Sequence, residues 1–233
     1  MLLSVALSTG LLAWSVIANL GLGDRFYTTR NLVLAALLLL LARRLGFTWR
    51  DLGLDPADLR EGLRWGRGAV LVVAVAVALG AGLSDVIPPL GALLDDARAD
   101  LPFPDLVHAV LVRIPLGTAL FEEVAFRGLL LAAFLQVTSP VWAVTWSSVV
   151  FGLWHVAPTI VTLRINEVAP MSSAGLGAIA GGVLVTAIGG ALFAWLRVAS
   201  GSLLAPLLAH WATNAFGLLA AAVTRSTGGL RGG

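Results

Sequence analysis

Long apolar runs broken by short polar stretches organise the chain. Seven runs stand out, at roughly 2–22, 29–45, 68–89, 105–135, 140–161, 173–196 and 202–223. Each is near the ~20 apolar residues that a helix needs to span a bilayer. The pattern predicts an all-α fold, a polytopic integral membrane bundle with about seven to eight transmembrane helices. The first run lacks a cationic leading segment, so it reads as a first span and not as a cleaved signal peptide. The second is short, and the stems of Arg43 and Arg44 at its end can reach the interface. The fourth is long enough to tilt or to contain a break. Between the second and third runs, Asp55 can cap a helix with Pro56 at its first position. Leu59, Leu63 and Trp65 give that helix an apolar side, so it is expected near 56–66 in the membrane interface. A plain connecting helix fits the same pattern. The expected organisation is therefore 1–104 for the N-terminal spans and interfacial helix, 105–224 for a C-terminal core, and 225–233 for a Gly-rich flexible tail. No internal repeat is evident.

Composition sharpens the class. The 233 residues are 58% hydrophobic and only 12% charged, against about 25% charged in soluble domains. No cysteine is present, which excludes disulfides, thiolate metal sites and a cysteine nucleophile. All 15 cations are arginine. With abundant Ala, Gly and Leu, this suggests a GC-rich prokaryotic genome and hence a multi-pass protein of a prokaryotic cytoplasmic membrane. The arginines are spread over loops and the net charge is only +2, so no nucleic-acid partner is expected. Arg43, Arg44, Arg50, Arg60, Arg64 and Arg67 predict a cytoplasmic loop over 43–67, and the acidic stretch "GALLDDARADLPFPD" an external one. Alternation then puts 136–140 and Arg197 inside. It puts the tail, with Arg225 and Arg231, outside, against the rule.

Ionisable residues inside spans are costly and usually functional. Here they are Glu122, Glu123, Arg127, His155 and His210, with the polar Asn214 beside them. His108 reads as interfacial. Glu123 and Arg127 are four apart and can pair on one helix face, whereas Glu122 is rotated by about 100° and can have other partners. Phe151 and His155 share a face, as do His210 and Asn214. The turn after the fourth run lies near residue 138. Glu122 precedes it by ~24 Å of helix and His155 follows it by ~26 Å. His210 and Asn214 follow the turn near residue 200 by ~15–21 Å. All these groups can converge in one layer. They could be interhelical hydrogen bonds that lock the bundle, but two histidines, an amide and a second carboxylate at one depth favour a site. Trp142, Trp146, Trp154, Trp195 and Trp211 read as packing or interfacial residues.

A carboxylate beside a histidine can take a proton from water and make it a nucleophile. A second histidine and an amide suit a developing oxyanion, and Arg127 can hold Glu123 ionised. Ser147 and Ser148 lie in no G-x-S-x-G elbow, and no H-E-x-x-H zinc motif occurs. Two histidines and two carboxylates could still hold a divalent metal such as zinc, with Glu122, His155 and His210 as the ligands.

At these residues the chain resembles a known family. "EEVAFR" resembles the E-E-x-x-x-R motif of the CAAX-protease and bacteriocin-processing family of intramembrane proteases. "FGLWH" resembles its F-x-x-x-H motif and "HWATN" its H-x-x-x-N motif, in the family's order over 121–216. The resemblance implies a glutamate-dependent intramembrane endopeptidase, with 105–224 as its catalytic core. Glu122 and His155 would activate water, His210 and Asn214 would stabilise the oxyanion, and Glu123 and Arg127 would support the site. Members of the family have been viewed both as metalloproteases and as metal-independent glutamic proteases; because Glu122 with His155 suffices for water activation, no obligatory metal is expected. The partners would be the bilayer and a peptide or protein substrate, with the oligomeric state open. Two other readings remain: a non-enzymatic immunity or peptide-binding protein using the same cavity, and a proton-coupled transporter, which the missing inverted repeat disfavours.

Overall fold

A computed structural model describes residues 1–231 other than 85, 88, 89, 92 and 93. The described elements are all helical, with no strand among them. They are α1 (Leu2–Leu22), α2 (Tyr27–Arg44), α3 (Pro56–Gly82), α4 (103–135), α5 (Pro140–Ile165), α6 (Ser173–Ser200) and α7 (Leu204–Arg231). The apolar runs thus become helices, but five of them, α1, α3, α5, α6 and α7 (the last over Leu204–Ser226), are long and apolar enough to cross a membrane, fewer than the seven to eight expected. α2 has Arg30, Arg43 and Arg44 within 18 residues, and α4 holds Glu122, Glu123 and Arg127 in the protein interior. Part of the expected tail, up to Arg231, continues α7, and its last two residues lie outside the described ones, as does part of the acidic loop. The helix expected near 56–66 and the span expected from 68 form one continuous helix.

α4 is the hub. Every residue from Phe121 to Phe134 is buried, the three charged ones included. α1, α2, α5, α6 and α7 all pack against it. α3 and α7 form the other large seam. Gly62 faces Ser202 and Leu204, and Gly66 faces Leu208 and Ala205, at distances that leave no room for a β-carbon without a shift. Small residues at such a seam let two backbones approach closely. The outer faces of α3 and α6 expose Leu71, Val72, Leu79, Leu184, Val185 and Ile188, a surface suited to lipid and not to water.

α4 contains no break, but it is unevenly wound. Ala109–Ala119 and Val124–Leu130 are π-helical, with a short α stretch, Leu120–Glu123, between them. Wide turns leave backbone carbonyls without their usual partners. Side chains of other helices supply donors: Asn31 Nδ2 donates to Gly117 O at 2.7 Å, and Trp211 Nε1 to Val110 O at 2.9 Å. α5 shows the same device. Pro158 has no N–H to give the carbonyl four residues back, and the Ser15 hydroxyl donates to that carbonyl, Trp154 O, at 2.7 Å. The helix steps at His155 immediately after it.

The loop between α2 and α3 closes one end of the bundle. Phe47 and Leu52 are fully buried and pack with Ala42, Leu129, Ala132 and Ala133. Arg197 donates to the carbonyls of Arg50 and Asp51 at 3.1 and 2.9 Å. The loop and the end of α6 thus share a side, as the arginine pattern expects. The Thr48 hydroxyl and amide hold the Asp51 carboxylate below its usual range. Contacts Asp24–Arg113, Asp95–Arg225 and Asp96–Asn166 gather at the other end. Gly53 sits at φ 73°, and a β-carbon there would fall within the Arg197 guanidinium. Gly53→Ala should therefore lower stability by about 1–3 kcal/mol, visible as an earlier unfolding transition in detergent.

Candidate active site

Five of the polar residues singled out in the sequence, Glu122, Glu123, Arg127, His155 and His210, meet around α4. Glu122 and Glu123 occupy the α-helical stretch between the two π segments. Arg127 Nη1 donates to Glu123 Oε1 at 2.9 Å, and both side chains are almost wholly buried. His210, from α7, approaches the same oxygen with Nδ1 at 2.8 Å. A carboxylate oxygen accepts, so Nδ1 carries the proton and Nε2 faces away from Glu123. That Nε2 lies 3.7 Å from Glu122 Oε2. His155 ends the first part of α5, and its Nδ1 lies 2.8 Å from Phe151 O. A carbonyl only accepts, so here too Nδ1 is the donor. Its Nε2 then faces Glu122 Oε2 at 4.0 Å.

Glu122 Oε2 is itself buried without a hydrogen-bond partner. Two imidazole Nε2 atoms therefore converge on one carboxylate oxygen, each just beyond direct hydrogen-bond range. A molecule able to donate to a carboxylate and to an imidazole fits such a place. Exposure falls from the His155 side chain at 20% to Glu122 at 8% and His210 at 5%, so His155 is the most open of the three. Asn214 lies one turn beyond His210 on α7, half-buried, with no side-chain hydrogen bond among the described residues. Its amide is free to bind something else. Among the described residues no three His, Cys, Asp or Glu side chains are grouped so as to hold a metal ion.

Aromatic rings wall the site. Phe151 meets His155 edge-on at 4.6 Å between centroids, and the Arg127 guanidinium lies 3.9 Å over its face. Phe126 and Trp154 pack behind it. Gly190 on α6 admits this arrangement: a β-carbon there would stand 3.0 Å from Phe151 and 3.4 Å from Arg127. Sequence reasoning brought out Glu122, Glu123, Arg127, His155, His210 and Asn214, and all lie on this side of α4 or on the two helices facing it. It missed the direct His210–Glu123 bond, because helix rotation about its axis does not follow from depth. It also missed the part that α6 plays in the site. The signal there was two Gly-Gly pairs, Gly181–Gly182 and Gly189–Gly190, in an otherwise apolar run, and the second marks the close approach. His108 is exposed near the start of α4.

Residues 104–216 match the family described as type II CAAX prenyl endopeptidase Rce1-like. No curated protein and no solved structure matches the chain. The matched segment covers α4 to the first half of α7, and so all six polar residues. With the five apolar helices it makes the chain an integral membrane protein.

Proposed function

Because residues 104–216 match the Rce1-like family of type II CAAX prenyl endopeptidases, we propose that the chain is an intramembrane endopeptidase. It hydrolyses a peptide bond in a peptide or a membrane-associated protein. The observation that carries this reading is the partnerless Glu122 Oε2 with His155 Nε2 and His210 Nε2 turned toward it.

In this mechanism a water donates one hydrogen to Glu122 Oε2 and the other to His155 Nε2. Its oxygen attacks the scissile carbonyl carbon as its proton passes to Glu122, the general base. The carbonyl oxygen becomes an oxyanion, which accepts a hydrogen bond from the Asn214 amide and, once His210 has taken a proton from solvent at Nε2, a second from that Nε2–H. Glu123, held by Arg127, stabilises that imidazolium through Nδ1–H and fixes its orientation. The tetrahedral intermediate collapses, the C–N bond breaks, and the proton on Glu122 goes to the leaving amine. Removal of the surrounding water strengthens each of these interactions.

No step above is assigned to a metal. Exhaustive treatment with a strong chelator should leave the rate unchanged. Loss of activity that zinc restores would instead make Glu122, His155 and His210 ligands. The function itself is tested by comparing the peptides released from membranes of cells that carry the wild type or Glu122→Gln. Peptides present only with the wild type are expected, and they identify the substrate. Identical peptide profiles would sink the reading.

A further inference from the structure

α6 carries none of the three motifs, yet one of its faces closes the site. Gly190 and Phe193 are three residues apart and lie on that face. The Phe193 ring stacks on the His210 imidazole, with centroids 5.2 Å apart and planes 21° from parallel. The same ring lies 5.1 Å from the Arg127 guanidinium carbon. Arg127 Nη2 also donates to Gly190 O at 3.4 Å. Arg127 and His210 are the two groups that hydrogen-bond Glu123 Oε1, and Phe193 touches both.

We propose that Phe193 is a positioning residue that fixes the plane of the His210 imidazole. The inference rests on the reading in which His210 acts on the substrate. One hydrogen bond at Nδ1 pins a point of the imidazole but leaves the ring free to turn about that bond, and histidine χ2 has no sharp preference of its own. Phe151 meets His210 almost perpendicularly, at 88° and 6.1 Å. It blocks one direction of tilt but presents no parallel surface. Phe193 supplies the parallel surface. With its ring in place, Nδ1 stays on Glu123 while Nε2 stays on the side of Glu122. The ring also lies beside two groups that carry or acquire positive charge. An aromatic face attracts each of them, which eases their mutual repulsion around Glu123. An aliphatic side chain of similar volume fills the space but supplies neither the flat surface nor the quadrupole.

The test compares Phe193→Leu with Phe193→Tyr in detergent-solubilised full-length protein. Phe193→Leu should lower kcat about tenfold or more with little change in KM, the size expected when a reacting group is misplaced by a fraction of an ångström. Phe193→Tyr, which keeps the ring face, should stay close to wild type. The second readout needs no substrate. In protein labelled with nitrogen-15 at histidine, with His210 assigned by its loss in His210→Gln, the wild type and Phe193→Tyr should show one Nδ1-protonated tautomer. Phe193→Leu should show an averaged or second form. Unchanged His210 signals in Phe193→Leu would overturn the inference, as would equal loss of kcat in both variants. Altered His210 signals in a protein that cleaves no peptide would uphold the positioning role and refute the peptidase reading instead.

Discussion

Replacing Glu122 by glutamine should leave a folded protein whose hydrolytic rate is lower by about 10³-fold, within the range that a general base contributes. The change keeps the shape of the side chain and removes only its ability to take a proton. Folding should hardly change, because Glu122 Oε2 has no hydrogen-bond partner to lose. Its neighbours His155 and His210 reach it at 4.0 and 3.7 Å through nitrogens that can accept from a new amide. Single-turnover cleavage of a substrate peptide, alongside a melting curve in the same detergent, separates the two effects. A Glu122→Gln protein that retains wild-type turnover would remove the carboxylate from the mechanism.

The second large effect concerns stability. Arg127→Met should destabilise the protein by about 3–5 kcal/mol, the usual result of stripping one partner from a buried pair. Glu123 is wholly buried, and its other oxygen, Oε2, already lacks a partner. Without Arg127 its charge would rest on His210 alone. Adding Glu123→Gln to Arg127→Met should recover a good part of the loss, since the amide oxygen can still accept from His210 Nδ1 while the uncompensated charge is gone. Denaturant unfolding of the two variants in mixed micelles measures this. An Arg127→Met protein as stable as wild type would mean that the pair has no structural role. The contrast between Glu122 and Glu123 is the useful point. Two adjacent carboxylates on one helix differ in expected effect, one on rate and the other on folding, because 100° of rotation gives them different neighbours.

Much of this was legible in the sequence because helices have a fixed rise. Counting residues from two turns put Glu122, His155 and His210 at one depth, and each histidine comes within 4.0 Å of the Glu122 carboxylate. Helix positions followed from apolar runs for the same reason. Counting spans was less successful. A run of apolar letters does not say whether a helix faces lipid or other helices, and α4, buried through Phe121–Phe134, is a core element with the site's charges inside it. The π winding of α4 and the seating of Phe47 and Leu52 under it depend on packing that no local pattern encodes. Phe193 was invisible for a related reason. One phenylalanine in an apolar helix looks like any other until the ring it covers is known.

The carbonyls freed by the irregular turns of α4 and α5 reach further than their hydrogen bonds. Their donors on Asn31 and Ser15 come from α2 and α1, which lie before the matched segment. The part of the chain that carries the three motifs is therefore not a portable unit. Grafted into another membrane protein, or expressed from residue 104 onward, it would keep its signature residues and lose the groups that shape the helices bearing them. In this chain, the early helices can change in sequence only so long as some side chain still arrives at those two backbone positions.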